Sequence, residues 1–185
     1  MRTLHTTTRS HCLTAVVATL AAALAFPSEG VAQARLEPVR VIARAAEASA
    51  LAAQAESLYS TPRKWRKAAS LHLRAAELRP IGDGSAVRDL SMAAHLYRAA
   101  GAEGRARAAM ERAADQAAKR GDIFTAATAY VDAGFLALEA RREDKVPALA
   151  RKAELLAKSP LLTSEQRARI MSRVGYTQVV ATIQR

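Results

Sequence analysis

The chain is predicted to be all-α: antiparallel helical hairpins stacked one on the next, closed by a C-terminal capping helix. Three observations predict this. Ala is by far the commonest residue, with Leu, Arg and Glu around it, and Asn is absent; these are strong helix formers. β-branched residues are sparse beyond the N-terminal segment and never alternate over the length of a strand. Capping and turn residues recur closely, so the connections are short and successive helices must pack antiparallel.

The elements follow in order. A first, Ala-rich helix is expected from near Pro38 to Tyr59. Thr61 and Pro62 start a second, with Thr as N-cap and Pro at the first helical position, where its missing N–H costs nothing. That helix stops before Pro80. The turn Ile81-Gly82-Asp83-Gly84 leads to Ser85, read as the cap of a third helix to Ala100. Gly101-Ala102-Glu103-Gly104 separates it from a fourth, which ends at Gly121, where a left-handed C-terminal residue is favoured. Asp122 caps a fifth helix to about Arg141. Asp144 opens a sixth, with Pro147 in its first turn and Ser159-Pro160 closing it. Thr163 and Gln166 make a capping-box pair at the head of a seventh.

Residues 1–34 read as an export signal of bacterial type. Arg2 and Arg9 make a basic start, the run from Cys12 to Phe26 is apolar and uncharged, and Ala32-Gln33-Ala34 supplies a small-x-small cleavage pattern. Cleavage after Ala34 leaves Arg35–Arg185 as a single domain in the periplasm or outside the cell. An uncleaved anchor is the alternative, though the run is shorter than the roughly 20 residues that span a bilayer. Neither a lipoprotein pattern before Cys12 nor a twin-arginine pair is present. Cys12 is the only cysteine, so the mature part can form no internal disulfide and use no thiol chemistry. Its charge is strongly positive, with 26 basic and 16 acidic residues once Arg2, Arg9 and Glu29 are removed. Such a field attracts lipid headgroups or acidic polysaccharide, or simply solubilises the helices; nucleic acid is not the expected partner, since export and the lack of any nucleic-acid-binding motif argue against it.

Three hairpins share a pattern. In the second, Leu90, Ala93, Ala94 and Tyr97 lie on the first helix, and Ala106, Met110 and Ala113 on the second. The first hairpin carries Tyr59, Ala68, Ala75 and Pro80, and the third Tyr130, Ala133, Gly134, Ala137, Val146, Ala150 and Ala153. This resembles the tetratricopeptide repeat, in which bulky, small and aromatic residues of one helix meet a small-bulky-small series on the next. The resemblance covers about residues 49 to 160, with hairpins at 49–82, 87–120 and 127–160. Ile170, Val174, Val179 and Ile183 of a helix over 163–183 are expected to cover the last of them. Equivalent positions lie 38 and 40 residues apart, longer than the usual repeat of about 34. Glu56 stands where a small residue is expected, His72 where a bulky apolar one is, and Ala137 where an aromatic is. An irregular helical bundle is the competing architecture.

The resemblance implies a groove lined by the first helix of each hairpin. Arg88, Ser91, His95 and Arg98 follow the helical period on one face of the third helix. Arg88, His95 and Arg98 are expected to hold an anionic group, and Thr128, Val131 and Phe135 of the fifth helix to add an apolar pocket. Together they point to an acidic peptide segment as occupant, or else to a solvated polar face. The family's carboxylate clamp relies on Asn and is not carried over. Arg63, Lys64, Arg66 and Lys67 form a basic cluster around Trp65, which fits either an anionic interface or an indole packed inward. Glu139, Glu143 and Asp144 beside Arg141, Arg142 and Lys145 read as a salt-bridged hairpin tip. Metal-ligand spacing around His72 and His95, nucleophile turns and phosphate loops are missing, so no enzyme, metal or cofactor is expected. The function expected is an exported protein-interaction or scaffold module of the cell envelope. The alternatives are a binder of an anionic envelope component and a purely structural subunit.

Overall fold

The computed structural model describes the backbone of residues 29–184 and the side chains of 37–184. The expected export signal therefore lies, up to residue 28, outside the described residues. Seven α-helices follow among the described residues: α1 (Glu29–Glu56), α2 (Trp65–Leu78), α3 (Gly84–Ala99), α4 (Glu103–Lys119), α5 (Ile123–Glu139), α6 (Val146–Ala157) and α7 (Ser164–Ile183). Short 3-10 turns, Pro62–Lys64 and Glu143–Lys145, lead into α2 and α6. No strand occurs among the described residues, and no helix there is long and apolar enough to cross a membrane. Contacts divide the chain after Val41, within α1, and the helix packing and the site described below lie in the unit from Ile42 onward.

Local chemistry explains most of the boundaries and corrects several. Pro38 lies inside α1 rather than at its start, so one i→i−4 bond is missing there while good helix formers flank it on both sides. The helix ends at Glu56, before Tyr59, because Pro62 forces extended backbone on Thr61 (φ −115°, ψ 99°) and the intervening residues tighten into turns. Thr61 makes no side-chain cap bond. At α3 the cap is Asp83, whose carboxylate accepts from the Ser85 N–H at 2.8 Å, so Ser85 is capped rather than capping. Asp122 caps α5 through the Thr125 N–H at 3.2 Å. Both bonds of the Thr163–Gln166 capping box form, at 3.1 and 3.0 Å. Gly101 and Gly121 follow α3 and α4 in the left-handed region (φ 64° and 77°), and Arg141 takes the same conformation after α5 (φ 53°).

Each helix from α2 to α7 packs on the next, and α5 also packs on α7. Ala68, Ala75, Ala106 and Ala113 are fully buried, which lets neighbouring helices approach closely, while Leu90, Tyr97, Met110 and Tyr130 fill the space between them. Contacts beyond the immediate neighbour set directions. Arg98 of α3 reaches Glu139 of α5; Asp132 and Phe135 of α5 meet Arg173 and Tyr176 of α7. Ser91 and His95 of α3 sit opposite Thr128 and Asp132 of α5. Numbers ascend together on both sides, so α3, α5 and α7 run the same way. Glu77–Arg112 and Asp115–Lys152 link α2, α4 and α6 in the same manner, at 3.1 and 3.8 Å.

The C-terminal helix departs from expectation. Ile170 and Val174 are buried as expected, but Thr177 and Ala181 complete that face, and Val179 and Ile183 are 58% and 79% exposed. The reason is angular. Steps of four, three and four from Ile170 keep to one side of a 3.6-residue helix, whereas Val179 and Ile183 fall on the other.

Candidate functional site

The back of α3 is held by a buried polar chain that the sequence did not announce. His72 of α2 and Asp89 of α3 are 2% and 4% exposed. His72 Nδ1 lies 3.0 Å from Asp89 Oδ1, and its Nε2 lies 2.5 Å from the Tyr59 hydroxyl. A carboxylate can only accept, so His72 Nδ1 donates to Asp89 while Nε2 meets the Tyr59 hydroxyl. Arg79 Nε donates to the second Asp89 oxygen at 2.6 Å. Burial pushes the Asp89 carboxyl up, but the bonds from His72 and Arg79 outweigh it and hold the group below its ordinary range. Burial, then the Glu56 and Asp89 charges, push the Tyr59 phenol up. His72 thus fills the position where a bulky apolar residue was expected by having every polar atom partnered. It ties the turn after α1 to α2 and α3.

The front of α3 faces a groove. Two cavities, of about 240 and 180 Å³, lie in line between α3 and α5 over the buried floor residue Met110 of α4. In the smaller, Ser91 and His95 stand opposite Phe124, Thr125 and Thr128. In the larger, Ala94, His95 and Arg98 face Phe135, Leu136 and Glu139. Asp132 borders both, and Arg173 of α7 closes the far end. Each cavity is smaller than the roughly 300 Å³ at which small-molecule sites begin, and each suits one side chain better than a cofactor.

The structure brings together Ser91, His95, Arg98, Thr128 and Phe135 of the expected groove. It excludes two others. Val131 is 2% exposed and belongs to the core, not to a pocket. Thr128 is followed on its own face by Asp132, four residues further on, and Val131 beside it turns inward where it is covered. Arg88 is exposed on the same side of α3 but a turn short of both cavities, near enough to Tyr59 for its charge to oppose the rise in that phenol. Asp132, Glu139 and Arg173 were missed. Asp132 and Glu139 follow Thr128 at helical spacing and were open to detection; Arg173 was not, because only tertiary packing brings α7 beside α5.

The charges in the groove are matched, which corrects the expectation of a free cationic clamp. Arg98 donates twice to Glu139, Nε to Oε2 at 2.9 Å and Nη2 to Oε1 at 2.5 Å. Arg173 pairs with Asp132, and its guanidinium lies 5.5 Å above the Phe135 ring, which also meets Tyr176 at 5.8 Å between centroids. Glu139 is therefore drawn into the groove, and at the hairpin tip Asp144 pairs with Arg142 and Lys145 at 3.0 and 3.3 Å.

The basic cluster occupies a separate place. Arg63, Lys64, Arg66 and Lys67 are all exposed at the start of α2. Arg66 reaches back to the Ala100 carbonyl at 3.2 Å, capping the end of α3. Trp65 is half-buried and donates its indole N–H to the Tyr59 carbonyl at 2.8 Å, so it packs inward. No family model, curated protein or solved structure matches this chain.

Proposed function

We propose that this protein is an exported, non-catalytic interaction or scaffold module of the cell envelope, built as a tetratricopeptide-like stack, that holds a segment of another protein between α3 and α5. The observation that carries this is the groove itself: two side-chain-sized cavities in line between two helices of the same direction, floored by Met110. Such a preformed trough can accept a segment without reordering the backbone. A recurring interval supports the stacked architecture. Arg98 and Glu139, Asp132 and Arg173, and Phe135 and Tyr176 each lie 41 residues apart, as though one hairpin step separated α3 from α5 and α5 from α7. A photo-crosslinking amino acid at position 128 tests it in cells, with one at Arg105, outside the groove, as control. A discrete adduct from position 128 alone is expected; identical smears from both sites would end the groove assignment.

One observation favours a second reading, binding to an anionic envelope surface. Arg63, Lys64 and Lys67 have no ion-pair partner among the described residues, and they crowd the start of α2, where the helix dipole disfavours cations. A diffuse anionic surface would relieve that repulsion. Sedimentation with anionic vesicles at low salt, lost at high salt and in the Arg63→Glu/Lys67→Glu variant, is its signature.

A further inference from the structure

We infer that the open face of α7 seats a second copy of this chain, docked antiparallel about a two-fold axis between Gly175 and Tyr176. The inference is independent of the groove. Ile170, Val174, Thr177 and Ala181 turn one side of α7 onto α5 and α6. The opposite side carries Ala168, Ser172, Gly175, Tyr176, Val179 and Ile183, whose steps of four, three, one, three and four keep to one stripe of a 3.6-residue helix. Its three large members are each more than half exposed. No charge falls within the stripe; Arg169 and Arg173 stand at its α5 edge, the second already on Asp132.

The order of the stripe points to a second copy as its occupant. The steps read the same from either end, so an antiparallel copy aligned on the midpoint sets each member opposite another. Ala168 then meets Ile183, Ser172 meets Val179 and Gly175 meets Tyr176. Every small residue receives a large one, which keeps the two helices evenly spaced along the contact. A parallel copy sets Tyr176 on Tyr176 and Gly175 on Gly175, a clash beside a gap. Gly175 is a separate observation. Its backbone is helical, and a methyl group there would touch nothing within 4 Å among the described residues. Glycine weakens a helix interior, and nothing described in its own chain requires it, whereas a Tyr176 ring closing on the backbone does. Charge agrees. Each copy carries a formal +11, so two of them can meet only where neither presents cations. In this register Arg169 falls opposite Thr182, 13 residues from the Arg169 of the second copy and about 20 Å along the axis, beyond a Debye length. The stripe is about 24 Å long, and one helix face of that length buries less than the roughly 800 Å² per partner of a standard complex. The dimer is therefore weak, with a Kd on the order of 10–100 µM.

Sedimentation equilibrium of the purified full chain tests the docking. The average mass should rise from that of one chain at about 1 µM towards that of two at about 300 µM; a single-chain mass throughout overturns the inference. Gly175→Lys sets two cations side by side at the two-fold axis and should weaken association about 10-fold or more, while an equimolar mixture with Gly175→Glu restores it. Association untouched by Gly175→Lys would put the contact elsewhere and sink the assignment. Disulfide trapping reads the register. Cys12 is the only native cysteine, so in a Cys12→Ser background Ser172→Cys and Val179→Cys each leave a single, exposed thiol. Mixed under mild oxidation, the two variants should form a mixed dimer several-fold faster than either dimerises by itself. Like positions lie 7 residues apart in the register, about 10 Å along the axis and too far for a disulfide. Faster dimers from Ser172→Cys alone would mean a parallel pair and overturn the antiparallel docking.

Discussion

Asp89→Ala should be among the most damaging single substitutions in the chain, and the structure says why. Its carboxylate is 4% exposed and serves two donors, His72 Nδ1 at 3.0 Å and Arg79 Nε at 2.6 Å. Removing it orphans a fully buried imidazole N–H, at about 1–3 kcal/mol, and strips a largely buried guanidinium of its main partner, at about 1.5–3 kcal/mol more. Breaking a buried ionic pair on one side costs about 3–5 kcal/mol by direct comparison, and the two routes agree. Urea denaturation at neutral pH measures it. Asp89→Asn keeps the shape but turns an amide N–H towards one of the two donors, so it should fall between wild type and Asp89→Ala. His72→Leu combined with Asp89→Ala should be less destabilised than the two losses added, by about 1–2 kcal/mol, since the orphaned N–H disappears with the ring. The pH dependence has a fixed sign. The folded carboxyl titrates below its ordinary value of 3.8, so its contribution is whole above that pH and is lost as pH falls through the lowered value. The gap between wild type and Asp89→Ala should stay constant from neutrality to about pH 5 and close below 3.8. A loss under about 1 kcal/mol, or strictly additive mutants, would refute the account of α3 as pinned from behind by this chain.

Three further outcomes follow from named contacts. Ile170→Ala should cost about 2–5 kcal/mol by chemical denaturation, while Ile183→Ala, on the open side of the same helix, stays within about 0.5 kcal/mol. Tyr130 donates to Asp115 beneath Lys152, and burial, then the Asp115 hydrogen bond and charge, push its phenol well above 10.0. The fold therefore loses stability as pH rises past 10.0 towards the raised value, and Tyr130→Phe should flatten that loss in a thermal-melt series. Arg141 holds the left-handed conformation that Gly101 and Gly121 hold after α3 and α4, so Arg141→Gly should raise stability by up to about 1 kcal/mol; a lower melting temperature would mean the side chain does work the backbone does not show.

The helices were legible in the sequence because their signals are local. Asp122, the Thr163–Gln166 box, Gly101 and Gly121 act within a turn of where they stand, and each marks a real boundary. Signals with two local solutions were misread by a residue or two. Ser85 and Asp83 both satisfy the requirements of a cap, and only the backbone at Asp83 decides between them. Val131 and Asp132 both follow Thr128 at permitted helical steps, and burial assigns the valine to the core and the acid to the groove. Of the polar chain behind α3, only His72 at an apolar position left a trace. Tyr59, His72 and Asp89 are 13 and 17 residues apart, across two turns, with no period to betray them.

The groove's electrostatics show why a face read from one helix does not give the charge of a site. Arg88, His95 and Arg98 make α3 look cationic by itself. But Glu139 ends α5, where the helix dipole is already negative, and a carboxylate there needs a cation from elsewhere. Since α3 and α5 run the same way, the last turn of α3 lies beside the end of α5, and Arg98 is the residue that arrives. The same displacement of 41 residues brings Arg173 to Asp132. Helix packing therefore does two things at once: it builds the trough, and it sets a carboxylate beside each of the trough's arginines. Ser91, His95 and Thr128 line the smaller cavity, and both ion pairs line the larger one beside Phe135.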